Sequence, residues 1–399
     1  MRLSSKVDKL PYSPIRKLVP FAEQAEKAGK KIYYLNIGQP DLPTPQEAIQ
    51  FLKDNIPEVI AYSHSAGMEE LRRKFQGYYA SQVGVDLPLS SFLVTTGASE
   101  ALIFTFSVLL NSGDEVIIPE PMYANYIGFA SVVDATVKPI TSKIEEGFAL
   151  PPINEFEKLI TPRTKAIMIC NPNNPTGYLY SYDELRQLAE LIKKHDLWLI
   201  VDEVYREFTF DGKKHISILT FEDLRDRTIV IDSVSKRYSA CGARIGLVVS
   251  ANEQFMDAVL RMAQARLSPP TLGQILSLGL LRLSMEVVMN MVKEYEKRRD
   301  VTIEALKQIE GVIVPKPSGA FYTVAELPVD DAEKFSKWLL TDFDYEGETI
   351  MFAPAAGFYI NKEFGKKQVR IAFVLEADKM ERAMRILKEA LEQYKSMQP

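Results

Sequence analysis

Lys236 ends the segment Ile231-Asp232-Ser233-Val234-Ser235-Lys236, directly after a strand-like run, and Arg244 follows in Gly242-Ala243-Arg244-Ile245-Gly246. A lysine at a strand end, flanked by hydroxyls and a nearby arginine, suits an amine that forms a Schiff base beside a bound phosphate. A solvated charge is the alternative reading of any one lysine. Three upstream segments weigh against it here: Gly97-Ala98-Ser99-Glu100, Asn171-Pro172-Asn173-Asn174-Pro175-Thr176-Gly177 and Asp202-Glu203-Val204-Tyr205. Gly97-Ala98-Ser99 precedes a helix opening at Ser99, where unpaired backbone N–H groups and the helix dipole suit a phosphate. Small residues also start helices that bind no anion. Asp202 follows the apolar run Leu197–Val201, where an unpaired carboxylate is costly. It either caps or salt-bridges the strand end, or it serves a bound group. Arg370 lies within the apolar, strand-like Val369-Arg370-Ile371-Ala372-Phe373, so it is either salt-bridged or kept for a ligand carboxylate.

Together these segments resemble the fold-type-I, pyridoxal-phosphate-dependent aminotransferases, the aspartate-aminotransferase-like class, from about Ser13 to the C-terminus. The resemblance implies pyridoxal 5'-phosphate on Lys236, with its phosphate on Ala98, Ser99 and Glu100, on the hydroxyls of Ser233 and Ser235, and on the forked guanidinium of Arg244. Glu100 would give its backbone N–H and turn its carboxylate away. Asp202 would face the pyridine nitrogen and keep it protonated, making the ring a stronger electron sink. Tyr205 and Asn174 would serve the ring's 3-oxygen, and Tyr123 would stack on its face, with Tyr126 as packing. Arg370 would clamp the substrate α-carboxylate, helped by Asn174 and the Gly38 backbone. Tyr62 matches a tyrosine that reaches the phosphate of the neighbouring subunit, which implies a homodimer with shared active sites.

The implied reaction moves an amino group from an α-amino acid, aspartate or glutamate, to a 2-oxo acid, with the freed Lys236 amine as general base. Two rivals remain: a β-eliminating lyase or synthase, and a non-enzymatic amino-acid or cofactor sensor. The chain departs from the family pattern at Ala243, where an aromatic is frequent, at Cys241, where threonine is common, and at Ala353–Tyr359, where a proline-glycine loop is usual. No second arginine stands out for a distal carboxylate; Arg16, Arg266 and the neighbourhood of His64 are the candidates.

The elements that must position these groups alternate. Strands are expected at Ile32–Ile37, Ser91–Thr95, Glu115–Ile118, Ala166–Cys170, Trp198–Val201, Thr228–Ile231 and Ile245–Val249. Helices are expected at Glu70–Tyr79, Ser99–Leu110, Asn154–Leu159, Tyr182–Lys194 and Glu253–Arg266. Apolar strands separated by helical crossovers indicate α/β architecture: a mostly parallel sheet covered by helices, with functional loops at the strands' carboxyl ends. A long charged helix near Val287–Ile309 leads to strands at Gly319–Val324 and Val369–Phe373 and a closing helix at Lys379–Lys395. The resemblance implies a smaller α/β domain formed by both chain ends: residues 1–45 and 286–399 around a large cofactor-binding domain at 46–285.

A length of 399 residues accommodates two such domains. Charges of 48 basic against 53 acidic give −5 with no basic cluster, which argues against a nucleic-acid surface. Cys170 and Cys241, the only cysteines, point to reduced thiols rather than a disulfide framework. The residues 1–8 lack the apolar core of a leader, and Ala101–Leu110 and Leu197–Val201 are too short to span a membrane. A cytoplasmic protein with no membrane partner and no metal is expected.

Overall fold

The computed structural model describes residues 3–397 apart from 5, 8, 9, 11 and 12, so part of the segment read as lacking a leader lies outside the described residues. After a helix at Val19–Lys27 comes β1 (Lys31–Tyr34). The next seven strands are β2 (Phe92–Thr95), β3 (Glu115–Glu120), β4 (Thr136–Thr141), β5 (Thr164–Cys170), β6 (Trp198–Asp202), β7 (Thr228–Ser233) and β8 (Gly246–Val249). They form one sheet in the order β2-β8-β7-β6-β5-β3-β4. Every pairing from β4 to β7 is parallel; only β8, between β7 and β2, runs antiparallel to its neighbours. Strands β2, β3, β7 and β8 are buried along their whole length, as expected of strands covered on both faces.

The covering helices follow from their sequences. Tyr182–Lys194 begins at Ser181, whose hydroxyl accepts from the Glu184 N–H while the Glu184 carboxylate accepts from the Ser181 N–H. It buries Leu185, Leu188, Ala189, Leu191 and Ile192 along one stripe. Gly97–Leu109 is apolar nearly all round and packs beneath the sheet. The long helix Met285–Lys307 buries two arginines, Arg298 on Asp41 and Glu294 and Arg299 on Asp211.

Beyond it lie β9 (Tyr322–Glu326), β10 (Glu348–Met351), β11 (Ala353–Pro354) and β12 (Gln368–Ala372), then the helix Ala377–Met397. Strands β11, β12 and β9 make an antiparallel sheet, and β10 pairs in parallel with β1, Lys31 opposite Glu348. The two ends of the chain are therefore joined in one small sheet. Among the described residues no single helix is long and apolar enough to cross a membrane, and no group of acidic, histidine and cysteine side chains could hold a metal.

The sequence reading missed the strands β4, β10 and β11 and the helices Gln46–Asp54, Asn125–Val132, Thr271–Leu280 and Ala332–Thr341. The strand expected from Gly319 starts only at Tyr322, after Ala320 takes a left-handed φ of 55°.

Candidate active site

The carboxyl ends of β5, β6 and β7 open into a cavity of about 550 Å³, roofed by residues of the N-terminal segment and of β9 and β12. Its walls contain Gly38, Ala98, Ser99, Tyr123, Asn174, Asp202, Tyr205, Ser233, Ser235, Lys236, Arg244 and Arg370. Twelve positions scattered over more than 330 residues thus meet in one place. Glu100 and Tyr62 lie outside it.

Lys236 projects from the single helical turn Val234–Arg237 that follows β7, a turn capped by the Ser233 hydroxyl on the Ser235 N–H. Its Nζ donates to the Gly38 carbonyl at 2.7 Å and lies 3.8 Å from Cys241 Sγ. This bond uses the Gly38 carbonyl, which attracts the amine. Gly38 is required there for space: a Cβ would fall 1.6 Å from the Tyr322 hydroxyl.

Asp202 ends β6, opposite Cys170 of β5 and Ile231 of β7. Its carboxylate accepts from the Tyr126 hydroxyl at 2.7 Å and from the Val204 N–H at 3.2 Å, and no cation pairs with it among the described residues. Burial pushes its carboxyl up to about 6, a shift that these two donors and the charge of Lys236 only partly offset. Tyr126 is therefore more than the packing residue expected from sequence. It stands one helical turn after Tyr123, and the two rings meet edge to face at 5.4 Å. That i, i+3 spacing beside a cavity tyrosine was the available signal.

Arg370, in β12, is 1% exposed. Its Nη1 donates to Asn174 Oδ1 at 3.1 Å and its Nη2 to the Asn36 carbonyl at 2.5 Å, while its Nε has no hydrogen-bond partner. Among the described residues no carboxylate pairs with it, so the salt-bridged alternative is set aside. Its guanidinium lies 4.5 Å over the ring of Tyr322, whose hydroxyl meets that of Tyr205 at 2.8 Å. Tyr322 was missed: nothing in its local sequence distinguishes it from the neighbouring buried aromatic Phe321. Asn174 is held by a turn in which Asn173 Oδ1 accepts from the Thr176 N–H at 3.1 Å and its hydroxyl at 3.0 Å.

At the other end of the cavity, Arg244 adopts a left-handed φ of 54° and donates to the Cys241 carbonyl, with no carboxylate partner among the described residues. Gly97 faces it; a Cβ there would lie 2.4 Å from Arg244 Nη2. The first turn of Gly97–Leu109, the Ser99 and Ser235 hydroxyls and this guanidinium form a cradle of donors that suits a phosphate. The Glu100 carboxylate turns away, accepting from the Thr96 N–H at 2.7 Å and pairing with Arg266 at 2.5 Å. Arg266 is thereby committed and drops out as a candidate for a distal carboxylate. His64 is exposed and its Nδ1 accepts from the Ala66 N–H, whereas Arg16 lies at the cavity wall.

Among the described residues, a cradle of donors, a buried carboxylate without a cation, a lysine amine and a buried guanidinium without a carboxylate meet at the carboxyl ends of the strands. That is where α/β enzymes gather their functional groups, and the set suits anionic small molecules. Comparison with known proteins agrees. Residues 30–387 match the family model for aminotransferase class I and II, and the chain belongs to that family. Curated relatives include an aspartate aminotransferase of Pyrococcus horikoshii, 31% identical over 98% of this chain and 97% of that protein. Another is an aromatic-amino-acid aminotransferase of Thermococcus litoralis, 30% identical over 99% of this chain and all of the relative. Among solved structures, the aspartate aminotransferase of Thermotoga maritima superposes with a TM-score of 0.88 at 29% identity, covering 98% of this chain and all of that one. An alanine aminotransferase of Pyrococcus furiosus superposes at 0.89 and 30% identity, with the same coverage. The protein is an aminotransferase with the aspartate aminotransferase fold, and the lyase and sensor alternatives are not favoured.

Proposed function

We propose that the protein carries pyridoxal 5'-phosphate on Lys236 and transfers the amino group of an acidic α-amino acid, aspartate or glutamate, to a 2-oxo acid. The residues present fit that group. The donor cradle opposite Gly97 would take the phosphate, Tyr123 would stack on the ring, and Asp202, the carboxylate of the cavity wall and without a cation among the described residues, would meet the ring nitrogen. Tyr205 and Asn174 stand on the side of the ring oxygen. Bound there, the cofactor supplies an electron sink for the charge left when the α-carbon loses its proton.

The protein's own groups do the rest. Arg370 and Asn174 hold the α-carboxylate, with the unpartnered Arg370 Nε and the planar guanidinium fork available for a bidentate contact. That orientation presents the α-hydrogen to Lys236 Nζ, which takes the proton as general base. Ionised Asp202 keeps a proton on the ring nitrogen, and the Tyr126 hydroxyl holds Asp202 in place. The observation that carries the reading is Arg370: a buried guanidinium without a carboxylate, in the cavity that Lys236 enters.

The reading includes a cytoplasmic homodimer. Tyr62 is 79% exposed and outside its own chain's cavity, as suits a side chain that completes the phosphate site of the partner subunit. It also keeps the proposed division at residues 46 and 285. Borohydride reduction followed by peptide mapping tests the attachment, which should fall on Lys236 and vanish in Lys236→Ala; labelling of another lysine refutes it. A panel of amino donors against 2-oxoglutarate, oxaloacetate and pyruvate tests the substrate class. Failure of both acidic donors refutes that part.

A further inference from the structure

Behind the cavity lies a second cluster of charged groups that the reaction does not use. Glu203, Arg206, Glu207, Asp232 and Arg237 are all buried, with Glu203, Asp232 and Arg237 0% exposed. Asp232 is the hub. Arg237 Nη2 donates to both its oxygens at 2.9 and 3.0 Å, Arg206 Nη1 donates at 3.1 Å, and the Tyr79 hydroxyl and the Ser233 N–H donate as well. Arg206 also binds Glu203 at 2.9 Å. Arg237 Nε lies 2.7 Å from Glu207, a charge contact without hydrogen-bond alignment. Tyr78 donates to Glu207 and lies under the Arg237 guanidinium, where the helix Glu69–Tyr78 passes into the π-turn Tyr79–Val83.

The placement of these groups in the sequence is informative. Glu203 follows Asp202, Arg206 follows Tyr205, Asp232 precedes Ser233 and Arg237 follows Lys236. Four cavity residues on two separate backbone segments each have a chain neighbour in the same network, on the far side of the backbone. Consecutive residues of a strand face opposite ways, as Asp232 and Ser233 do at the end of β7; in the turns after β6 and β7, too, one residue furnishes the cavity and its neighbour locks into shared charges. Burial alone would raise the Asp232 carboxyl; the two guanidiniums outweigh it and hold it below the usual range. Buried charge pairs add little net stability, but removing one partner is strongly felt, so their geometry is tightly held.

We propose that Arg237 and Asp232 are positioning residues: by tying the turn of Lys236 to the segment of Asp202 and Tyr205, they set where Lys236 Nζ meets the cofactor. The inference rests on the proposed attachment at Lys236. It predicts that loosening the network separates two events that a merely structural role would move together: capture of the cofactor by the phosphate cradle, and bond formation with Lys236.

The experiment mixes cofactor-free protein rapidly with pyridoxal 5'-phosphate. It follows capture by fluorescence and attachment by absorbance, with borohydride trapping and peptide mapping to confirm the lysine. The double variant Arg237→Met/Glu207→Gln removes one charge of each sign and leaves Asp232 paired with Arg206. Attachment should slow by roughly tenfold or more while capture affinity stays within about twofold, since small misplacements of a reacting group are costly. Arg237→Lys should slow attachment less, because it keeps a cation beside Asp232 but not the two-oxygen contact. A folded double variant that attaches at the wild-type rate overturns the proposal, as does equal weakening of capture and attachment. Should the double variant not fold, Arg237→Lys decides alone, and a wild-type attachment rate overturns the proposal. Attachment to another lysine in the unaltered protein would instead refute the proposed function.

Discussion

Asp202→Asn should make the cofactor-free protein more stable and the enzyme worse. The Asp202 carboxyl has an ordinary value of 3.8 and is pushed up to about 6 by burial. A carboxyl whose folded value is raised takes up protons on folding between those two pH values. Its contribution to stability is therefore complete below about 4 and is lost as pH rises through about 6. Two pH units at 1.36 kcal/mol each put the loss at about 3 kcal/mol by pH 8. Asparagine keeps the shape and can still accept from Tyr126, but has no charge to bury. Denaturant unfolding of both cofactor-free proteins, at fixed protein concentration from pH 4 to 8, should show the variant gaining about 3 kcal/mol on the wild type across that range. Curves that stay parallel would refute the assignment of an unpaired buried charge at Asp202. In the loaded enzyme the order should reverse: cofactor binding survives the substitution better than single-turnover loss of the substrate α-proton does. Unchanged proton loss would defeat the role given to Asp202 against the ring nitrogen.

Tyr126→Phe removes a donor to that buried carboxylate, a contact of about 1.5–3 kcal/mol when one partner is charged. The cofactor-free variant should lose more stability at pH 8 than at pH 4, and equal losses would show that the hydroxyl does not serve the ionised form. Arg370→Ala should lower kcat/KM for amino and oxo acids by roughly 2–5 kcal/mol of transition-state binding while the absorbance of the attached cofactor persists. Arg370→Lys should recover little, since one ammonium cannot reproduce two coplanar donors. Normal turnover of α-amino acids by Arg370→Ala would refute the clamp. Mixing Tyr62→Phe with Lys236→Ala should restore some activity if subunits exchange, because one heterodimer site then carries neither lesion; no recovery despite exchange would place Tyr62 outside the site of the partner subunit.

Much of this was legible in the sequence, and the omissions have physical causes. Tyr182–Lys194 and Glu253–Arg266 were read to their observed ends because each carries a side-chain cap and an apolar stripe. Strand β4 was missed because Thr136-Val137-Lys138-Pro139-Ile140-Thr141 contains a proline, which strands tolerate at a sheet edge, where β4 lies. Helix Thr271–Leu280 was hidden by Gly273 and Gly279, whose reason is tertiary: a Cβ at Gly279 would fall 3.0 Å from the Ala48 backbone. That Lys236, Asp202, Asn174 and Arg370 face one cavity was recoverable because Asp202 and Arg370 sit in apolar runs where burial makes a charge costly without a purpose, and Lys236 and Asn174 sit in the motifs that carry the family resemblance. Tyr322 and the Asp232 network were not, since their meaning comes only from residues far away in the chain.

The pairing of β1 with β10 also bears on how the protein is made. Lys31 and Glu348 are 317 residues apart, yet the chain leaving β1 supplies the Asn36 and Gly38 carbonyls that receive Arg370 and Lys236. A ribosome adding about 5–20 residues per second leaves that N-terminal strand without its partner for roughly 15–60 s. All seven strands of the large sheet have emerged before then, since β8 ends at Val249. A nascent chain can thus hold a folded sheet and a lysine long before it can hold a substrate. Competence to transfer an amino group arrives late in synthesis, when the last strands close over the first.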